Sequence, residues 1–232
     1  MSGTFAELWA ALAIFFVSHS LPSIRGIRSK FVTLLGERGF LLVYSVISLA
    51  VTTWLIIAAL RAPLVELWPM TVAGMWITAI CMIFAAMLFA WGWVTPNPLS
   101  IRIRARHFKA NAPGLLAVTR HPFPWSFALW GFGHLASNGE AGTAILFGLL
   151  AVFSVLGTKI LDVRRRRELG ADAWAEMTAQ TSSIPFAGII SGRIAAPWRA
   201  MVSLPTLVAL IAYGLFLTIH QAVIGVSPLP PF

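Results

Sequence analysis

Residues 119–140 read TRHPFPWSFALWGFGHLASNGE and set two histidines, His121 and His134, thirteen positions apart in a run otherwise apolar and rich in tryptophan. A neutral imidazole has one N–H to donate and one lone pair to give, so each ring needs a partner in such surroundings. Histidine inside a membrane helix usually faces a bundle interior and does something there. His134 stands beside Gly131 and Gly133, and glycines admit either a flat group or another backbone at close range. His19 ends an earlier apolar stretch in FFVSHSLPS, ahead of Arg25. For His19 the choice lies between a hydrogen bond to a neighbouring carbonyl and axial ligation of haem iron or another metal. For His134 it lies between a bond across a helix interface and the same ligation. Arg120, next to His121, carries the planar fork that grips a carboxylate, a propionate or a lipid phosphate. His107, in a basic loop, and His220, near a helix end, have no companion.

The elements that must position these rings are helices in a membrane. The chain has 232 residues, 58% hydrophobic and 11% charged, with a mean hydropathy of +0.82; a soluble domain carries roughly 25% charged residues. About 20 apolar residues cross the hydrocarbon core as a helix, and roughly 4–21, 40–60, 70–94, 122–138, 142–160 and 203–225 meet or approach that length. The fourth is the shortest, with Pro122 and Pro124 at its start. No alternating polar and apolar segments suggest a β-barrel. The fold class is all-α: an integral membrane bundle of about six transmembrane helices, read as one domain over 1–232. The first stretch lacks a basic leader and small residues after it, which makes it a retained helix rather than a cleaved signal.

Charge placement sets the orientation. Three inter-helix loops hold four, five and seven basic residues, sixteen of the seventeen in the chain, leaving only Arg61 on the other side. The positive-inside rule puts those loops in the cytoplasm and both termini on the non-cytoplasmic side, as in a multi-pass protein of a bacterial inner membrane. Anionic headgroups account for the net charge of +9, and no nucleic-acid partner is implied. Trp9, Trp54, Trp68, Trp91, Trp93 and Trp198 fall near the expected boundaries, as an aromatic belt does. Cys81, the one cysteine, reads as a small buried apolar residue.

The longest non-membrane stretch is 161–202. A helix over about 159–180 continues the fifth span, and Asp162 with Arg166, and Arg164 with Glu168, stand four apart, where ion pairs form. Pro185 and Pro197 then break regular helix, which leaves Phe186 and Trp198 at headgroup level. Glu37 and Arg38 read as a short cytoplasmic pair before the second span. No carboxylate pair, serine triad, phosphate loop or HExxH motif is present, so hydrolysis and phosphoryl transfer have no visible machinery.

Four blocks in order, SHSLPSIRGIRSKFVTLLGERGFLLVYSVISL (18–49), TRHPFPWSFALWGFGHLASNG (119–139), RRRRELGADAW (164–174) and TSSIPFAGIISGR (181–193), resemble the NnrU family, which includes the plant 15-cis-zeta-carotene isomerases. The resemblance implies an integral membrane protein with a non-covalent haem b. Carried over by position, the isomerase-branch ligands fall on His19 and His134, with His121 as the reserve and Arg120 near a propionate or a polar group of the substrate. It further implies either a redox-dependent cis–trans isomerase of a polyene taken from the bilayer, with ferrous iron releasing one histidine, or a denitrification factor handling nitric oxide or an electron from a donor. The isomerase branch has a cysteine three residues before the second histidine; Gly131 stands there in this chain. If the fourth span is one straight helix, His134 lies roughly 20 Å deeper than His121, and depth alone pairs His19 with His121. A tilt or a break at HPFP would reconcile the two.

RHP also opens a motif of membrane methyltransferases of the isoprenylcysteine and phospholipid type, which bind S-adenosylmethionine at the cytoplasmic face. LDVRRRRELGADAWAEMTAQTSSIP echoes their layout, and Arg120, His121 and Asp162 would carry the chemistry. The tyrosine after RHP and the paired glutamates are missing. A non-catalytic membrane accessory, with histidines merely bridging helices, is the third alternative.

Overall fold

The structure, a computed structural model, describes residues 3–21, 24–101 and 107–230; Arg102, Arg104 and Arg106 of the second basic loop lie outside them. Among the described residues all regular structure is helical: α1 (Phe5–Ser20), α2 (Arg25–Arg61), α3 (Val72–Val94), α4 (Pro122–Ser137), α5 (Ala141–Leu169), α6 (Ala171–Thr178), α7 (Ala187–Ile190), α8 (Trp198–Met201) and α9 (Leu204–Ile224), with a 3₁₀ turn at Gly114–Ala117. One isolated bridge joins Glu66 and Glu140.

Among the described residues four helices, α2, α3, α5 and α9, are long and apolar enough to cross a membrane, and α1 is a shorter apolar helix. At 1.5 Å per residue the 16 residues of α1, and the 16 of α4, reach about 24 Å, short of the ~30 Å hydrocarbon core. Exposed Leu, Ile, Val and Phe side chains along α2, α3 and α9 present an apolar surface that lipid accepts.

The chain forms two compact units: residues 1–69 with 138–146, and residues 70–137 with 147–232. In the first unit α1 packs on α2. Thr4 caps α1, its hydroxyl accepting the Glu7 N–H at 3.1 Å. α2 begins earlier than the span read from hydropathy and kinks at Gly36 (φ 69°, ψ 166°), a conformation open essentially to glycine alone. The kink separates a basic, surface-type segment from the apolar one. Glu37 bridges it to Arg28 rather than to its neighbour Arg38. The turn after α4 lies along the turn after α2: Leu67 donates to the Gly139 carbonyl at 2.7 Å and Ala141 to that of Val65 at 2.8 Å.

In the second unit α3 packs chiefly on α4 and then on α9. Small residues and hydroxyls make the α3–α4 seam, as expected where helices associate without a hydrophobic drive. The Thr78 hydroxyl donates to the Gly133 carbonyl at 2.7 Å and meets the Ser137 hydroxyl. The Tyr213 hydroxyl donates to the Ala79 carbonyl at 3.1 Å and ties α9 to α3. Trp91 belongs to the core rather than to an aromatic belt: it is 2% exposed and its indole N–H donates to Thr206 Oγ1 at 2.9 Å. The single helix read over about 159–180 is instead α5 and α6, because Gly170 takes φ 86° and ends the first.

Candidate functional site

Three segments converge at one end of the second unit: the turn after α3, the residues before α4, and the last turns of α5. TPNPLS is held by Asn97, 3% exposed, whose amide donates to the Arg120 carbonyl at 2.9 Å while its oxygen accepts the Leu99 N–H. Arg120 then binds Asp162 at two points, Nε to Oδ1 at 2.8 Å and Nη2 to Oδ2 at 2.6 Å, with its guanidinium over the Trp174 ring at 5.4 Å. The bidentate fork foreseen for Arg120 is therefore made with a carboxylate of this same chain. Asp162 pairs with Arg120 and His121, not with Arg166; the Arg164–Glu168 pair does form, at 2.9 Å.

His121 is fully buried. Its Nε2 lies 2.8 Å from Asp162 Oδ1 and its Nδ1 2.9 Å from Ser100 Oγ. The carboxylate can only accept, so the ring proton sits on Nε2 and the Ser100 hydroxyl donates to Nδ1. Burial pushes the imidazole below the ordinary histidine value, with the facing carboxylate opposing that shift. The Ser100 carbonyl in turn accepts from Arg165 Nη2 at 2.9 Å. Ser100, His121 and Asp162 thus form the order of groups found in hydrolases, a line no spacing in the sequence announces. Ser100 is 1% exposed, however, and a nucleophile must meet its substrate. The line is a closed polar knot that clamps loops. Its members reach further through Thr119, whose hydroxyl donates to the Ser183 carbonyl at 3.0 Å, and through the Arg120 N–H, which donates to that of Ser182 at 2.7 Å.

His134 sits in α4 of the same unit. Its Nδ1 lies 2.9 Å from the Trp130 carbonyl, and its ring stacks on Phe147 at 4.9 Å between centroids. The adjacent glycines serve packing: a side chain at Gly133 would come within 2.8 Å of Cys81 Cβ, and one at Gly131 within 2.8 Å of the Phe147 carbonyl oxygen. Of the two uses read for them, the approach of another helix is the one observed. Cys81 itself is half-buried against this seam.

His19 belongs to the first unit, at the end of α1. Its Nδ1 lies 2.9 Å from the Phe15 carbonyl, its Nε2 accepts from the Ser48 hydroxyl of α2 at 2.7 Å, and its ring stacks on Phe15 at 4.0 Å. A carbonyl accepts only, so in His19 and in His134 alike the N–H is on Nδ1 and the lone pair on Nε2. The two rings share one tautomer by the same device, a bond to the carbonyl four residues back. Among the described residues no three His, Cys, Asp or Glu side chains cluster as a metal site; a haem needs at most two protein ligands.

Helices of membrane-spanning length, apolar surfaces, small-residue seams and a buried polar clamp define a polytopic α-helical membrane protein. The sequence matches the NnrU protein family over residues 7–228, and the chain belongs to that family. Neither a curated protein nor a solved structure shows significant similarity to it.

Proposed function

We propose that this NnrU protein binds haem b in a bacterial inner membrane, with the imidazoles of His134 and His19 as the groups offered to iron. The observation that carries the reading is their common tautomer. Iron-ligating histidines donate one ring N–H to a carbonyl or carboxylate, which orients the ring and puts the lone pair on the other nitrogen. Nδ1 on the Trp130 carbonyl and Nδ1 on the Phe15 carbonyl meet that requirement. At His19 the Ser48 hydroxyl holds the Nε2 lone pair and would have to yield it. His121, the reserve ligand, spends both nitrogens on Ser100 and Asp162 and is the least suited of the three.

Haem bound there would supply a redox-active iron, open to nitric oxide or another small ligand only where one of the two imidazoles is not bound to it. The nitric oxide form of the function, with an electron donor as partner, is favoured over polyene isomerisation by Gly131. The isomerase branch has a cysteine at that place, and here even a Cβ meets the Phe147 carbonyl and Ala151, so no thiolate ligand fits. Methyl transfer has less support: Arg120, His121 and Asp162 are together, but they bond one another, and both Asp162 oxygens are already engaged within the chain.

An absorbance spectrum of detergent-purified protein from haem-replete cells, as isolated and after dithionite, tests the reading. A Soret band with visible bands that sharpen on reduction is expected, and its intensity should fall in His134→Ala and His19→Ala. A featureless spectrum from folded protein overturns it.

A further inference from the structure

The second unit contains an apolar cavity of about 330 Å³, walled by Phe84, Leu88 and Trp91 of α3, Trp125 and Leu129 of α4, and roofed by Phe186. Both indole N–H groups turn away from it to fixed acceptors, Trp91 to Thr206 Oγ1 at 2.9 Å and Trp125 to the Ser183 carbonyl at 2.8 Å. With Met87 also in the lining, the walls therefore offer almost wholly hydrocarbon, thioether and aromatic faces. Water needs two to four polar partners to stay in such a space, and an empty void forfeits packing on every side. An apolar cavity of about 150 Å³ takes up benzene, so this one has room for roughly a dozen carbons.

The roof is built in place. The Phe186 N–H donates to the Val118 carbonyl at 3.0 Å, with Phe186 held at φ 62°, and Ser182 and Ser183 accept from Arg120, Thr119 and Trp125. At the mouth, Ile184 of the roof and Phe84 of a helix long enough to cross a membrane are both exposed. Acyl chains are the medium around such a helix. The roof also belongs to a cationic stretch, residues 159–202, with seven basic residues against four acidic ones. Arg193 spends its guanidinium on the Ala179 and Thr181 carbonyls at 2.7 and 2.9 Å, neutral acceptors that leave its charge uncompensated.

From this cavity, its dry walls and the charge beside its roof, we infer that the protein holds one acyl chain of an anionic phospholipid, headgroup outward toward the arginines. A quinone or sterol would bring a polar group into walls with no donor to meet it; a phospholipid leaves its polar part at the interface.

The test is native mass spectrometry and lipid extraction on the full chain in mild detergent, comparing wild type with Leu88→Phe/Leu129→Phe, which fills the cavity. One anionic phospholipid per wild-type chain is expected, lost from the filled variant at unchanged helical circular dichroism; Arg193→Gln should shift the retained lipid toward zwitterionic headgroups. Should the double variant misfold, Leu129→Phe alone must still reduce retention. Equal retention in wild type and filled variants overturns the assignment, as does a fatty acid, an isoprenoid or no lipid on wild type. Haem absorbance on the same samples is a separate readout, so failure of either reading leaves the other standing.

Discussion

Arg120 and Asp162 lie 42 residues apart in sequence, and they meet as a two-point ion pair with bonds of 2.8 and 2.6 Å that also fixes the buried ring of His121. Side chains at 14% and 21% exposure make this a pair whose partners cannot be removed singly without leaving charge in poor solvent.

Arg120→Ala should therefore cost about 3 kcal/mol, the scale for breaking a largely buried pair. Arg120→Lys should recover only part of it, because an ammonium cannot reproduce the fork. Unfolding in detergent, followed by circular dichroism, checks both.

The clamp and the proposed iron ligands separate by mutation. His121→Gln and Ser100→Ala should lower stability, by about 1–3 kcal/mol for buried polar groups left unmet, while haem per folded chain stays at the wild-type level. His134→Ala should do the reverse. Haem loss in His121→Gln at wild-type stability would assign the iron to His121 instead.

Ser48 holds the lone pair of His19 at 2.7 Å. If His19 ligates iron, Ser48→Ala removes the competitor, and haem retention in an apomyoglobin competition should equal or exceed that of wild type. The stability cost of the lost bond should be about 1 kcal/mol. Weakened haem retention would count against His19 as a ligand.

Gly131→Cys restores the cysteine of the isomerase branch. With 2.8 Å to the Phe147 carbonyl oxygen and 2.9 Å to Ala151 Cβ, it should push α4 off α5 and cost about 1–3 kcal/mol as an overpacked site. Reduced Tm with no thiolate-type Soret shift is the expected pair of results.

Gly36 takes φ 69°, ψ 166° inside α2, so Gly36→Ala should cost about 1–3 kcal/mol through backbone strain alone. No steric clash adds to that cost, because a Cβ there meets nothing within 4 Å.

The sequence by itself determined the all-helical class, the membrane setting and the NnrU membership, because hydropathy and motif order are properties of the chain's own succession of side chains. It placed the starts of α3, α4 and α9 within a few residues, since Thr71, Pro122 and Pro205 mark them locally. It also picked out Arg120, His121 and Asp162 as one group. What that group does was decided by the tertiary structure: whether Arg120 meets Asp162, a lipid phosphate or a propionate depends on which carboxylate the folded chain brings within 3 Å. The same holds for Ser100, which lies in an unremarkable turn until His121 is laid against it, and for Trp91, whose burial depends on Thr206, 115 residues away. Gly131 and Gly133 could admit a flat group or a helix with equal ease in sequence; only the position of Phe147, Ala151 and Cys81 around them settled for the helix, because close packing is a relation between surfaces rather than a property of either one.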